Sequence, residues 1–212
     1  MSILPSTRLH YDVQAQVRGF TLGGTAELTW RHDDQAYEAR LEVSALGRIS
    51  RAQRSTGRVT AQGLAPDYFS DKSRKEQATH FDRDKNRLIF SNNKPEAPLA
   101  EGMQDRLSVV LQLAALVAGS PGKYVAGTTL TIPTTGTSDA ENWVFSVEGE
   151  EDLRLPGGSV RALKLQRLPR KEYDQKVELW LAPRMDYAPV RLRLTNPNGD
   201  AVDQRWSSTD RG

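Results

Sequence analysis

The 212 residues carry 29 basic and 27 acidic side chains, a formal net charge of +2, with 37% apolar and 7% aromatic residues and no cysteine. Such a chain is long enough to bury one core without covalent staples. Its composition excludes collagen-like, disulfide-framed, zinc-thiolate and thiol-nucleophile proteins, and its near-balanced charge argues against a nucleic-acid binder.

Alternation with period two dominates the chain and predicts strands with one buried and one wet face. Leu9, Tyr11, Val13, Ala15 and Val17 share the first inward face, and Gly19 to Gly24 read as a turn region around Phe20 and Leu22. Ala26, Leu28 and Trp30 then continue inward, and Tyr37, Ala39, Leu41, Val43 and Ala45 follow after the polar turn at His32 to Gln35, making a three-stranded meander. A strand over Ile49 to Val59 leads to a break at Gly63-Leu64-Ala65-Pro66. Thr79 to Asp82 and Arg87 to Phe90 form a hairpin about Arg83-Asp84-Lys85-Asn86, and Asn92 to Pro98 is loop by composition.

The spacing of Leu107, Val110, Leu111, Ala114 and Val117 predicts one helix over Asp105 to Ala118, about 21 Å long, apolar nearly all round. Asp105 is its expected N-cap, and Gly119 with Pro121 its stop. This apolar stretch is too short to span a bilayer, so the chain is read as not membrane-spanning. Strands resume at Thr128 and continue to Trp206, with tight turns at Pro156-Gly157-Gly158 and Asn196 to Asp200. The expected fold is mainly β: eleven or twelve strands in one large curved antiparallel sheet, a half-barrel or open barrel, wrapped around one long apolar helix. Residues 9–207 make a single domain, with 1–8 and 208–212 as flexible termini.

Few residues suggest chemistry. His80, Asp82, Asp84 and Asn86 imitate the start of a calcium loop, but Arg87 and Asn93 stand where that loop needs Gly and Glu, so a hairpin turn explains them. Glu148, Glu150, Glu151 and Asp152 could supply paired carboxylates, yet an acidic run beside Gly149 reads as a solvated turn. No nucleophile elbow accompanies the three histidines, and no catalytic residue, metal site or cofactor is assigned. Lys72, Arg74 and Lys75, then Arg167, Arg170, Lys171 and Lys176, could meet lipid head groups; protection of sheet edges is the plainer reading. Parity sets Trp180 opposite Val177, Leu179 and Leu181, making it either loop-covered or a surface recognition residue.

Several phrases occur together in a family-like order: Tyr11 to Gly19, Gly23 to Trp30, Gly57, Gly63 to Tyr68, Asp105-Arg106-Leu107-Ser108, Pro156-Gly157-Gly158, Leu179-Trp180-Leu181 and Pro189-Val190-Arg191. Together they resemble the domain of unknown function 3108 family over nearly the whole chain. The resemblance implies a bacterial envelope protein made with an export leader, hence a periplasmic location. No basic head followed by an apolar run opens the chain itself. By analogy of fold, it is also similar to the half-barrel lipoprotein carriers LolA and LolB. It carries over no catalytic residue.

The resulting expectation is a non-enzymatic binder of a lipid or other amphipathic molecule in the concave face. Leu107, Val110, Leu111, Trp30, Trp143 and Phe145 are its candidate lining, and it requires an apolar cavity of about 300 Å³ or more. The alternatives are an adaptor docking another envelope protein, through Trp180 or a sheet edge, and a polysaccharide- or peptidoglycan-acting enzyme using two carboxylates.

Overall fold

A computed structural model describes residues 1–211, so Gly212, the last of the residues expected in a flexible tail, lies outside the described residues. The first half holds β1 (Thr7–Val17), β2 (Phe20–His32), β3 (Ala36–Ala45), β4 (Arg48–Thr60), β5 (Gly63–Lys72), β6 (Glu76–Asp82), β7 (Arg87–Phe90) and the two-residue β8 (Ala97–Pro98). The second holds β9 (Gln104–Asp105), α1 (Ser108–Gly119), β10 (Thr129–Thr135), β11 (Ala140–Leu155), β12 (Gly158–Arg167), β13 (Lys176–Ala182), β14 (Ala188–Thr195) and β15 (Ala201–Arg211).

All fifteen strands join one sheet, in the order β8-β7-β6-β5-β4-β3-β2-β1-β15-β14-β13-β12-β11-β10-β9. Each half is a meander, and the two meanders meet where β1 pairs antiparallel with β15. Only the contact of β9 with β10 is parallel, with α1 as the crossover. The mainly antiparallel curved sheet is as expected, but the helix is not long: it has twelve residues, about 18 Å. Its first turn is spent on the cap, because Leu107 and Arg106 form the bend that lets Asp105 reach back over the helix end.

The sheet curls until its arms touch. Thr79 Oγ1 donates to the Gly136 carbonyl at 2.7 Å, and Asn92 Nδ2 donates to Ser138 Oγ at 2.9 Å, so the β10–β11 turn is stitched to β6 and the segment after β7. Inside, α1 lies between two apolar clusters. Leu107 and Leu111 join one built on Leu9, Tyr11, Leu28, Trp30 and Phe69. Val109, Leu113, Ala114 and Val117 join the other, with Trp143, Phe145, Leu165 and Leu179. An almost wholly apolar helix is thus explained: each side has its own half of the sheet to cover it.

Three local expectations are corrected. Gly19 to Gly24 are not a loop, since the chain reverses at Arg18 and Gly19, both at positive φ, and β2 pairs from Phe20 onward. Gly63 to Pro66 are strand, because the missing N–H of Pro66 falls at a bulge opposite Gly57, where an added Cβ would strike the Pro66 Cα. The termini are anchored: Leu4 is buried, Ser2 N–H donates to the Ala115 carbonyl at 3.0 Å, and β15 pairs through Arg211.

Candidate functional site

An enclosed, largely apolar concavity opens beside α1, in the seam between the two apolar clusters. Leu41 and Val43 of β3 line one wall and Val177, Leu179, Leu192 and Leu194 the opposite one. Val109, Val110, Trp143 and Phe145 complete an apolar interior of about 150 Å³. Of the residues expected there, Val110, Trp143 and Phe145 do line it. Leu107 and Leu111 border a smaller adjoining space of about 40 Å³. Trp30 lines neither: its indole N–H donates to the Leu4 carbonyl at 2.7 Å and its ring packs on Tyr37, at the far end of β2. The volume is half that required for a whole amphipathic molecule, so that expectation is not met; Val109 and Val110 of the helix are among the residues bounding the space.

Polar side chains also line this cavity, with Gln204 buried between it and the adjoining space. Arg51, Gln53, Arg106, Gln175 and Gln204 all border it. Arg51 and Gln53 both donate to the Asp71 carboxylate. Burial alone would raise the Asp71 carboxyl, but these hydrogen bonds, with the charges of Arg51 and then Arg106, hold it below its ordinary value. Arg106 is exposed and makes no ion pair among the described residues, so it offers a free guanidinium at an apolar opening. Across the cavity Arg167 lies over the Trp143 ring at 4.4 Å and pairs with Glu141 at 2.7 Å, which fixes the indole as part of the wall.

Asp105, expected as the helix cap, proves to be the centre of a buried polar pin. Its Oδ1 accepts from the N–H groups of Leu107 at 2.9 Å and Ser108 at 2.7 Å, while its own N–H donates to Ser108 Oγ at 2.9 Å, a reciprocal cap. Its Oδ2 accepts from Ser55 Oγ at 2.5 Å, and Tyr37 in turn donates to Ser55 at 2.9 Å. Burial pushes this carboxyl up to about 6, while the hydrogen bonds from Ser108, Ser55 and Leu107 hold it from rising further. Gln112 and Gln104 extend the pin by bonding the N–H and carbonyl of Leu64 at 2.9 and 2.7 Å. Apart from Gln104 Oε1, which has no hydrogen-bond partner, these groups are occupied by one another or by backbone and are enclosed, so they lock α1 and β9 onto β3 to β5.

Trp180 is not a surface recognition residue. Parity does place it on the convex side, but it is buried there with Leu153, Leu155, Ala162 and Val190. The cover is the β11–β12 hairpin: a bulge at Gly149 bends it back over the sheet, and Gly157 sits against the Trp206 ring. Glu151 accepts from the Trp180 indole N–H, and Lys164 and Arg191 flank its ring. The acidic run is consumed by the same fold, since Glu150 and Asp152 both bind Arg161. Among the described residues no three His, Asp or Glu side chains group as a metal site. His80, Asp82 and Asn86 flank or form the β6–β7 hairpin turn, where Asp82 Oδ1 accepts the Lys85 N–H at 3.1 Å. No described helix is long and apolar enough to cross a membrane.

Comparison with solved structures places this architecture among β-barrel-like proteins. A beta-barrel-like protein of domain of unknown function DUF1849 from Brucella abortus is similar, with TM-score 0.62, 11% identity and 99% of each chain covered. A putative exported protein with a YmcC-like fold from Bacteroides fragilis is similar at TM-score 0.47 and 10% identity, over 99% of this chain and 100% of that one. A putative outer membrane lipoprotein-sorting domain from Vibrio parahaemolyticus stands at TM-score 0.31 and 8% identity, over 97% and 85%. The first shows the fold alone, and the other two are too loose to argue from. No curated protein matches the chain. The family model described as "Protein of unknown function (DUF3108)" matches residues 8–204, which takes in nearly all of β1, β2 to β14 and the start of β15, and the chain therefore belongs to the DUF3108 family.

Proposed function

We propose that the protein is a non-catalytic envelope binder that takes the apolar end of an amphipathic molecule into the seam beside α1. The observation that carries this reading is an apolar cavity of about 150 Å³ with a free arginine, Arg106, at its rim. A space of that size accepts an apolar group as large as benzene but not a whole lipid. The rest of the chain would lie along Val17, Phe20 and Leu22, which share the concave face of β1 and β2 but have nothing above them. Arg106 and the neighbouring glutamines would then meet an anionic or polar head group. A periplasmic location is part of the same proposal, supported by the resemblance to envelope proteins made with an export leader, and is tested by fractionating the native host.

The test is binding of an anilinonaphthalene sulfonate probe to the purified protein, with displacement by octanoate, laurate and a lysophospholipid. Probe fluorescence should rise and be displaced by the amphiphiles, and Val110→Trp, which fills the seam, should weaken binding about tenfold while the protein still folds. Binding equal in Val110→Trp and wild type, or no displacement by any of the three, defeats the reading.

A further inference from the structure

Because neighbouring strands are antiparallel, alternate turns fall at the same end of the sheet. One end gathers the turns at 18–19, 46–47, 73–75, 136–139, 168–175 and 196–200. Eight of the ten exposed large apolar residues lie in these turns or within three residues of them. Leu46 is 100% exposed, Tyr173 83% and Phe20 72%, with Leu22 and Ile49 beside them. The turns of the opposite end, at 33–35, 61–62, 83–86, 156–157 and 183–187, have none by the same measure. Scattered exposed apolar residues are ordinary, whereas a collection concentrated at one end is not.

Leu46 adds an independent observation. It occupies a left-handed backbone conformation, φ +52°, followed by Gly47 at +74°, the two central positions of a hairpin turn that favours Asn-Gly. A leucine here is conformationally unfavourable, contacts no core and exposes its whole side chain, so the fold has no use for it. The charges at this end are mixed overall, with Glu76, Asp139, Glu172 and Asp200 among them, but basic side chains predominate around the apolar tips of the first half. Arg18, Arg48, Lys72, Arg74 and Lys75 are exposed and form no ion pair among the described residues. The first basic cluster does not protect a sheet edge, since β5 and β6 are both paired on two sides and the true edges are β8 and β9.

We propose that this end is a docking surface for an anionic lipid bilayer, with Phe20, Leu22, Leu46 and Ile49 entering the interfacial region and the five free cations meeting lipid phosphates. Apolar tips ringed by lysine and arginine are the pattern that binds such interfaces, combining burial with attraction to anionic head groups. The concave stripe of Val17, Phe20 and Leu22 leads from these tips toward Val43, Leu194 and Val202 at the cavity, so a docked molecule would present its seam to the membrane. A second copy of the chain or a protein partner would use the apolar tips but has no need of five unpaired cations around them.

The test is co-sedimentation of the full chain with vesicles of phosphatidylcholine alone or mixed with phosphatidylglycerol, with size-exclusion chromatography alongside. Wild type should sediment with the mixed vesicles, less so in high salt. Phe20→Ser with Leu46→Asn should reduce partitioning about tenfold, and Arg48→Glu with Arg74→Glu and Lys75→Glu should abolish the preference for phosphatidylglycerol. Lys85→Glu at the opposite end should change neither. Leu46→Asn alone should melt no lower than wild type, so a binding loss there is not a folding loss. The proposal is overturned if wild type stays in solution with both vesicle types, if the variants bind as wild type does, or if the tips instead drive a dimer that the same variants abolish. Probe binding in vesicle-free solution reports the cavity separately, so failure of docking and failure of the ligand reading are distinguishable.

Discussion

The two ends of the sheet solve the same problem in opposite ways. At the closed end, Trp30 is fully buried, its indole N–H held by the Leu4 carbonyl and its ring 5.4 Å from both Tyr37 and His32, and the turns beyond it expose Asp33, Asp34 and Asp84. At the open end the same inward-facing register continues through Phe20 and Leu22 with nothing to cover it. Burial at one end is what stabilises the fold, and exposure at the other is unfavourable for the fold by itself. The difference teaches that the apolar stripe of β1 and β2 has two employments, core and surface, divided near Gly23 and Gly24.

The largest test of that division is Trp30→Ala, which should destabilise by about 4 kcal/mol, from lost burial, a cavity and the lost indole hydrogen bond to the Leu4 carbonyl. Chemical denaturation would read it as a lower midpoint with an unchanged slope. Phe20→Ala, the same register at the other end, should shift the midpoint by less than about 0.5 kcal/mol. Equal effects would break the comparison.

The Asp105 pin is next in size. Asp105→Ala removes the cap and leaves the Ser55 hydroxyl and two backbone N–H groups without their acceptor, an expected loss of about 3 kcal/mol. Its pH dependence has a definite sign. Because the folded value of about 6 lies above the ordinary 3.8, the folded state binds the extra proton between them. This contribution is complete below pH 3.8 and is lost as pH rises through about 6, amounting to about 3 kcal/mol at most. Asp71 and Glu178, held low by Arg51 and Lys164, pull the other way. The measurement is therefore the stability of wild type minus that of Asp105→Asn, which should fall as pH rises across that interval; a constant difference would show that Asp105 does not titrate there.

Much of the fold was legible because alternation reports which face a residue takes. It placed Tyr11, Trp143, Phe145 and Leu179 inward and Trp180 outward, all as found. What alternation cannot report is how far along a strand the cover extends, and so Phe20 and Leu22 read as a turn instead of an uncovered continuation. Nor does it reveal a strand folded back on the sheet: the bulge at Gly149 turns the β11–β12 hairpin onto Trp180, and only a lone glycine among four acids marks it in the sequence. Three of the cavity's lining residues were expected and Trp30 was not among them in fact, because residues on one face still divide between the two clusters flanking α1. The basic clusters stood out by composition, but their gathering at one end depends on strand order, which spacing does not encode.

The smallest effect separates the two ends most cleanly. Leu46→Asn replaces a branched side chain at φ +52° by the residue type that best tolerates that conformation before a glycine. No buried contact is lost, since the side chain is fully exposed. The variant should therefore gain about 1 kcal/mol, read as a rise of roughly 2–4 °C in Tm for a chain of this size. A substitution that stabilises the protein while weakening vesicle binding would mean that Leu46 is retained against the interest of the fold. A fall in Tm would mean instead that Leu46 makes a stabilising contact in solution, and the open end would then belong to the same folded core as the closed one.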